Sequence, residues 1–462
     1  MTDQRELDRL LAAFFDEGTD EVADRVIDAA LDHIEHIPQR RAWRAPWRFQ
    51  TMNRYAQLAA GVAIVAIVAS SAIMLAGRAS PDGVPGASPT ARPSASPTDS
   101  SRPTSSPSVA PTPAPQVGLT WNRVNDPDLA SSLPQGSIDG VIAGGPGAIA
   151  WGSIYGAGPR IWTTTDGLDW KSASVEAVPD ANPDQKDPGS VADVTQGGPG
   201  YVAVGEYQRT GTSGNTAVAW TSTDGMSWRR VADDPSFANA LMSGVIPWKG
   251  ELFAYGAESS GLEGGPQRVW ASSDGLRWNV IDLTLPAGVT TIGVPVVSSD
   301  RLWASTTGSY VTSTDGRTWV ASALPVIGAL YPLSDGLYST ASMKPAGQPA
   351  VGVYRSTDLA TWTLRSVGLK TVGLDLIAVG DTMIMVGDNA AGSAQCWAKC
   401  QATGWRSVDA GVTWQVLPAD KVGGTMRSVA ALPEGTLVAV GLTIDDRGSP
   451  STAAWVSPPI RP

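Results

Sequence analysis

Side chains able to do chemistry are few in this chain. Its only cysteines, Cys396 and Cys400, stand in "QCWAKCQ", and its only histidines are His33 and His36. The CxxxC spacing differs from the CxxC of thioredoxin-like redox sites, and no cysteine set has structural-zinc spacing. In an extracellular segment the pair is expected to close a loop as a local disulfide; the alternative is two free thiols in a surface loop. The histidine pair could set two ligands on one helical face, but no cysteine lies near to complete a zinc site. No metal and no cofactor are expected. With no histidine beyond His36, a Ser–His–Asp set cannot form in the rest of the chain, whereas carboxylate chemistry stays open.

The recurrent chemical group is an aspartate. It returns six times, in "TTTDGLDW" (163–170), "TSTDGMSW" (221–228), "ASSDGLRW" (271–278), "TSTDGRTW" (312–319), "RSTDLATW" (355–362) and "RSVDAGVTW" (406–414). A catalytic acid is not needed six times at equivalent positions, so the set reads as architecture. Asp and Ser/Thr oxygens accept hydrogen bonds from the amides of their own turn, and Gly supplies backbone angles that other residues resist. Asp166, Asp224, Asp274, Asp315, Asp358 and Asp409 are therefore expected to clamp turns. Trp170, Trp228, Trp278, Trp319, Trp362 and Trp414 are expected to bury against neighbouring strands while each indole N–H finds a carbonyl.

The elements that carry these turns are short strands. Before each motif come an apolar strand, a Gly-punctuated turn, a second strand such as "GAIAWG" (147–152) or "GYVAVG" (200–205), a variable loop, and a third strand such as "RIWTT". The motif leads into a fourth strand at the Trp. Four strands recurring every 41–58 residues between motif aspartates are the pattern of propeller blades. The chain stops at "TAAWVS" (452–457), a third strand without a fourth, and opens its β region at "LTWNRV" (119–124), a fourth strand without a third. Together they complete a seventh, split blade, which removes exposed edges.

"SVDAGVTW" (407–414) resembles the Asp-box, or BNR repeat, and the other turns resemble a version one residue shorter; Leu359 replaces the Gly in "STDLATW". Asp-boxes occur in sialidase-like propellers, photosystem II assembly factors and sortilin-like receptors. The resemblance implies a propeller over about three quarters of the chain, with the boxes on the face away from the ligand site. The expected fold class is an all-β, seven-bladed propeller with split-blade closure, preceded by a short α-helical segment and one transmembrane helix.

Composition agrees with that layout. The chain has 462 residues with 50 Gly, 35 Pro and 18 Trp against 5 Phe, as many short strands and turns would need. A net charge of -11 argues against nucleic acid. Residues 1–54 form an N-terminal segment, amphipathic and helical over the first 38, with acidic outer faces and a basic stretch (Arg40, Arg41, Arg44, Arg48, Arg54). Residues 55–77 are uncharged and long enough to span a bilayer. The positive-inside rule puts the N-terminus in the cytoplasm and the rest outside the cell membrane. Residues 78–117 read as a Ser/Pro/Thr-rich stalk, and 118–462 as the propeller. Residues 1–38 serve either as a docking surface for a basic cytoplasmic partner or as a hairpin that only orients the anchor. The layout, more than the residues, resembles membrane-bound anti-sigma factors, although the zinc-type H-x3-C-x2-C pattern of many of them is absent.

In propellers, ligands usually meet the face built by the loops joining second to third strands and blade to blade. On those loops Tyr155, Tyr207, Arg209, Trp397, Asp445 and Arg447 are the candidate contacts; Trp397 reads equally as packing on its own loop. A sialidase would need an arginine triad on channel-lining strands. The first strands "IDGVIAGG", "VADVTQGG", "TIGVPVVS" and "GLDLIAVG" contain no Arg, and Arg160 heads a third strand. The expectation is a non-catalytic module that binds or senses a protein or glycan at the cell surface. The alternatives are a sialidase-like glycoside hydrolase and an assembly or scaffold factor for a membrane complex.

Overall fold

A computed structural model describes residues 119–129, 136–154, 157–182, 189–212, 214–259, 265–306, 309–322, 328–343, 350–357, 361–367, 373–389, 400–417, 419, 423–445 and 448–460. The expected N-terminal helices (1–38), membrane span (55–77) and stalk (78–117) lie outside these residues. So do His33, His36, Tyr155, Asp358, Cys396, Trp397 and Arg447. Among the described residues the only helix is one 3-10 turn, Pro235–Phe237, and none is long and apolar enough to cross a membrane.

Seven sheets form a seven-bladed propeller, six of them antiparallel meanders in sequence order, and Ser174–Val175 joins the blade 2 sheet as a fifth strand, parallel to Ser227–Arg230. Blade 1 comprises Gly136–Gly144, Gly147–Ile154, Gly158–Thr164 and Trp170–Ser172. Blade 2 comprises Gly189–Gly197, Gly200–Gln208, Asn215–Ser222 and Ser227–Arg230, and blade 3 runs from Ala240–Trp248 to Asn279–Ile281. Blades 4, 5 and 6 begin at Val296–Ser298, Gly328–Leu333 and Gly373–Val379. Blade 7 combines Gly424–Ala431, Leu437–Ile444 and Pro450–Ser457 with Asn122–Arg123, which pairs with Val456 and Trp455. The split blade expected from the two ends of the β region is thus present.

The core is divided among the seams. Seven buried clusters each straddle two neighbouring blades, so the ring closes through packing at every seam. A middle strand is covered on both faces, which explains why Gly147–Ile154 is buried throughout and does not alternate. Among the described residues the seam between blades 4 and 5 has the smallest buried cluster, Trp303, Tyr310 and Leu337.

Candidate functional site

The meander puts the turns between first and second strands, and between third and fourth, at one end of the propeller. The second-to-third loops and the blade-to-blade crossovers lie at the other.

The aspartate turns share one geometry in all five described copies. In blade 2, Ser222 Oγ accepts the Gly225 N–H at 2.8 Å and donates to Asp224 Oδ1 at 3.1 Å. The same Oδ1 accepts the N–H groups of Met226 (2.8 Å) and Ser227 (2.9 Å). Asp166, Asp274, Asp315 and Asp409 repeat this with two following amides each. These amides explain the acidity: the Ser227 and then the Met226 N–H hold the Asp224 carboxyl below its usual range. At Asp315 desolvation pushes the other way, but the amides of Thr318 and Arg317 outweigh it and bring the carboxyl to about 2. The indole N–H of Trp170, Trp228, Trp278 and Trp414 reaches the carbonyl of its turn glycine at 2.8–3.1 Å. Trp319 and Trp362 differ: their buried indole N–H groups have no hydrogen-bond partner among the described residues. In each described copy the turn is held through Oδ1, which faces its own backbone, and at Asp409 the Thr413 hydroxyl also donates to Oδ2. After the turn glycines, Leu168, Met226, Leu276 and Val412 stand about half exposed on this end.

The first strands line the centre of the ring and carry polar groups that bind across the seams. Asp193 on blade 2 accepts the Val245 N–H of blade 3 at 2.9 Å through Oδ2 and its neighbour Val194 through Oδ1. Asp375 on blade 6 does the same for blade 7, taking the Val429 N–H (2.9 Å) and the Ser428 hydroxyl (2.8 Å) on Oδ2. Ser428 Oγ in turn accepts the Val141 N–H of blade 1 at 3.3 Å. A register shift in the first strands of blades 1, 2, 3, 6 and 7 falls at this level. Burial pushes the Asp193 carboxyl up to about 7, against its two amide donors, and raises Asp375 for the same reason.

The four quoted segments hold no arginine, but the first strand of blade 7, outside them, does carry one. Arg427 of blade 7 is 9% exposed and pairs with Asp139 of blade 1. Burial raises the Asp139 carboxyl, opposed by the Arg427 charge and the Ser137 hydroxyl. Among the described residues, the first strands hold no second arginine, so no carboxylate-gripping cluster forms there.

At the crossover end, the described candidate contacts are already engaged. The second strand of blade 2 runs on to Gln208, so Tyr207 lies inside it and is 2% exposed. Arg209 donates to Tyr207 Oη at 3.2 Å and pairs with Asp180 (2.5 Å) and Asp233 (3.6 Å), tying the crossovers on both sides of blade 2. Asp445 accepts the Ser449 N–H at 2.7 Å and so closes its own turn. Cys400 is buried and disulfide-bonded. A cleft of about 320 Å³ opens where blade 7 meets blade 1, between Arg123, Asn125 and Asp126 on one side and Thr443, Ser451 and Thr452 on the other. A second, of about 400 Å³, lies at the opposite end between blades 4 and 5, beside Ser299 and Asp335. No group of three metal-ligating side chains occurs among the described residues.

Comparison with known proteins gives a family match to part of the propeller and distant structural likenesses. The family described as DUF6242 beta propeller domain matches residues 222–343, the stretch from the end of the third strand of blade 2 to the second strand of blade 5. No curated protein matches the chain. A Dyadobacter fermentans protein of unknown function is similar at 12% identity and TM-score 0.41, over 75% of this chain and 98% of that one. An ancestral GH74 enzyme is similar at 12% identity and TM-score 0.47, over 70% of this chain and 48% of the enzyme. A Trypanosoma rangeli sialidase mutant displaying trans-sialidase activity shows 12% identity and TM-score 0.37, over 62% of this chain and 57% of its own. Likenesses at these scores carry no argument, and the propeller rests on the seven sheets themselves.

Proposed function

We propose that this chain is a membrane-anchored, extracytoplasmic propeller that recognises a protein or glycan at the cell surface and does not catalyse. The observation that carries the reading is how the central polar groups are used. A general acid for glycoside hydrolysis needs an oxygen free to reach the leaving group. Both oxygens of Asp193 and of Asp375 instead accept backbone N–H groups, and the one first-strand arginine is spent on Asp139. In this reading the aspartate turns are Asp-boxes, the helix-forming residues 1–38 meet a cytoplasmic protein partner, and the crossover end is the recognition face.

The test uses the full-length protein in detergent, applied to immobilised glycans and to displayed peptides. Saturable binding is expected, weakened by Thr443→Arg at the crossover end and unchanged by Leu168→Ser at the opposite end. Binding indifferent to the first substitution and lost with the second would overturn the assignment of the face. Turnover of a glycan probe would overturn the assignment of the function.

A further inference from the structure

The third strand of blade 7, Pro450–Ser457, is paired with its second strand along its whole length, through Ile444 and Pro450. Among the described residues its outer side is covered over only part of its length. Asn122 pairs with Val456, Arg123 with Trp455, and the Val124 N–H reaches the Ala454 carbonyl at 2.9 Å. Beyond that point the chain is drawn away. Asp126 accepts the Asp128 N–H at 2.7 Å through Oδ1 and the Trp170 N–H of blade 1 at 2.9 Å through Oδ2, which turns the chain toward the next blade.

In an antiparallel ladder, alternate residues direct both backbone groups to the same neighbour. The step of two from Ala454 therefore puts the N–H and C=O of Thr452 on the open side. No described backbone group meets them there. The space between this open edge and the departing chain is the cleft of about 320 Å³.

We propose that this cleft takes an extended peptide, which adds to blade 7 as the missing upper half of its fourth strand. The peptide runs antiparallel to Pro450–Ser457 and in the direction of Asn122–Val124, continuing the pairing that the chain abandons. The proposal rests on the binding reading above and gives it a partner chemistry. An open strand edge is completed by another extended backbone, and main-chain hydrogen bonds supply much of the affinity in such additions. The free stretch from Pro450 to Ala453 spans about 13 Å at about 3.3 Å per residue, room for three or four peptide residues. Pro450 has no N–H, so the added ladder ends there. Among the described residues no aromatic ring lines the cleft, so these residues offer a sugar no stacking surface. On the rim Ser451 is small and exposed, while the half-buried Thr452 points its hydroxyl aside to the Leu129 carbonyl and Ala453 is buried in the seam, so no large side chain stands over the edge.

The experiment pans a random dodecapeptide display library on the full-length protein in detergent and measures the selected peptides by fluorescence anisotropy. Thr452→Pro removes the open donor, and Ser451→Arg, at an exposed position, fills the cleft with little risk to folding. Each is expected to weaken peptide binding at least 10-fold, while Leu168→Ser leaves it unchanged. Hydrogen exchange gives an independent reading. In the free protein the Thr452 amide should exchange at least 10-fold faster than the amides of Leu437–Ile444, and peptide should slow it. Peptides that bind with equal affinity to both variants, or a Thr452 amide already protected in the free protein, would overturn the proposal. Glycan binding with no selected peptide would overturn it while leaving the binding reading intact, and failure of both probes would overturn the two together.

Discussion

Gly225 and Gly211 make a matched pair of probes for how the aspartate turns pack. Both have φ of 78°, the left-handed region that a β-carbon disfavours. A β-carbon on Gly225 would lie 2.6 Å from Cδ1 and 3.1 Å from Cγ1 of Ile149, which is fully buried in blade 1. At Gly211 it would meet nothing within 4 Å. Gly211→Ala should therefore cost only the left-handed conformation, about 1–2 kcal/mol. Gly225→Ala should add overpacking of about 1–3 kcal/mol, for a total of about 2–5 kcal/mol. Ile149→Val removes the nearest atom and alone costs about 0.5–1.5 kcal/mol. In the double variant the overlap is relieved, so the two effects should sum to at least about 1 kcal/mol more than the measured loss. Urea unfolding of the full-length protein, followed by tryptophan fluorescence, gives the midpoints. Equal losses for the two glycine substitutions, or strict additivity with Ile149→Val, would refute the claim that the turn is wedged against the preceding blade.

Three further outcomes are expected. Asp224→Ala should lower stability by about 0.5–2 kcal/mol, by analogy with a lost cap. Ser222→Ala should cost about 1–3 kcal/mol because it strands the buried Gly225 N–H; unchanged melting midpoints would contradict both. Asp193 has a folded pKa raised to about 7 from 3.8, so the folded state holds its proton more tightly. Its contribution is complete below about pH 4 and is lost as pH rises through 7, whereas Asp315 and Asp409, lowered to about 2, contribute above about pH 4 and lose that as pH falls toward 2. Asp193→Asn should flatten the fall in stability between pH 4 and 7, and an unaltered slope in denaturation midpoints would count against the burial of this carboxyl. Arg427→Ala leaves Asp139 without its partner and should cost about 3 kcal/mol, largely recovered in the double variant with Asp139→Ala. A double-mutant cycle with no coupling would refute that pairing.

The parts of this molecule that could be read from the chain are those whose partners are near in sequence. Ser222, Asp224 and Gly225 bond to one another and to the next two amides, so four residues of text specify a turn. The seven-blade count was legible because "LTWNRV" and "TAAWVS" each lack what the other supplies. The inner belt was hidden for the opposite reason. Asp193 and Val245 are 52 residues apart, Asp375 and Val429 are 54 apart, and Asp139 and Arg427 are 288 apart. A polar residue in an apolar strand gives no sign of which blade will use it. Tyr207 was misplaced by a strand boundary: ending the second strand at Gly205 puts it in a loop, but the pairing continues to Gln208 and buries the ring. The open edge at Thr452 depends on where the fourth strand departs, and the turn at Asp126 that decides this reaches its second partner in blade 1.

The central claim is that the polar groups of the inner strands hold blades together and do no chemistry. Its most direct test follows hydrolysis of a panel of fluorogenic glycosides, a sialoside included, by the full-length protein, with an authentic sialidase as positive control. No turnover by the folded protein is predicted. Turnover that disappears in Asp193→Asn, or in Arg427→Lys, would make this propeller an enzyme and contradict the account.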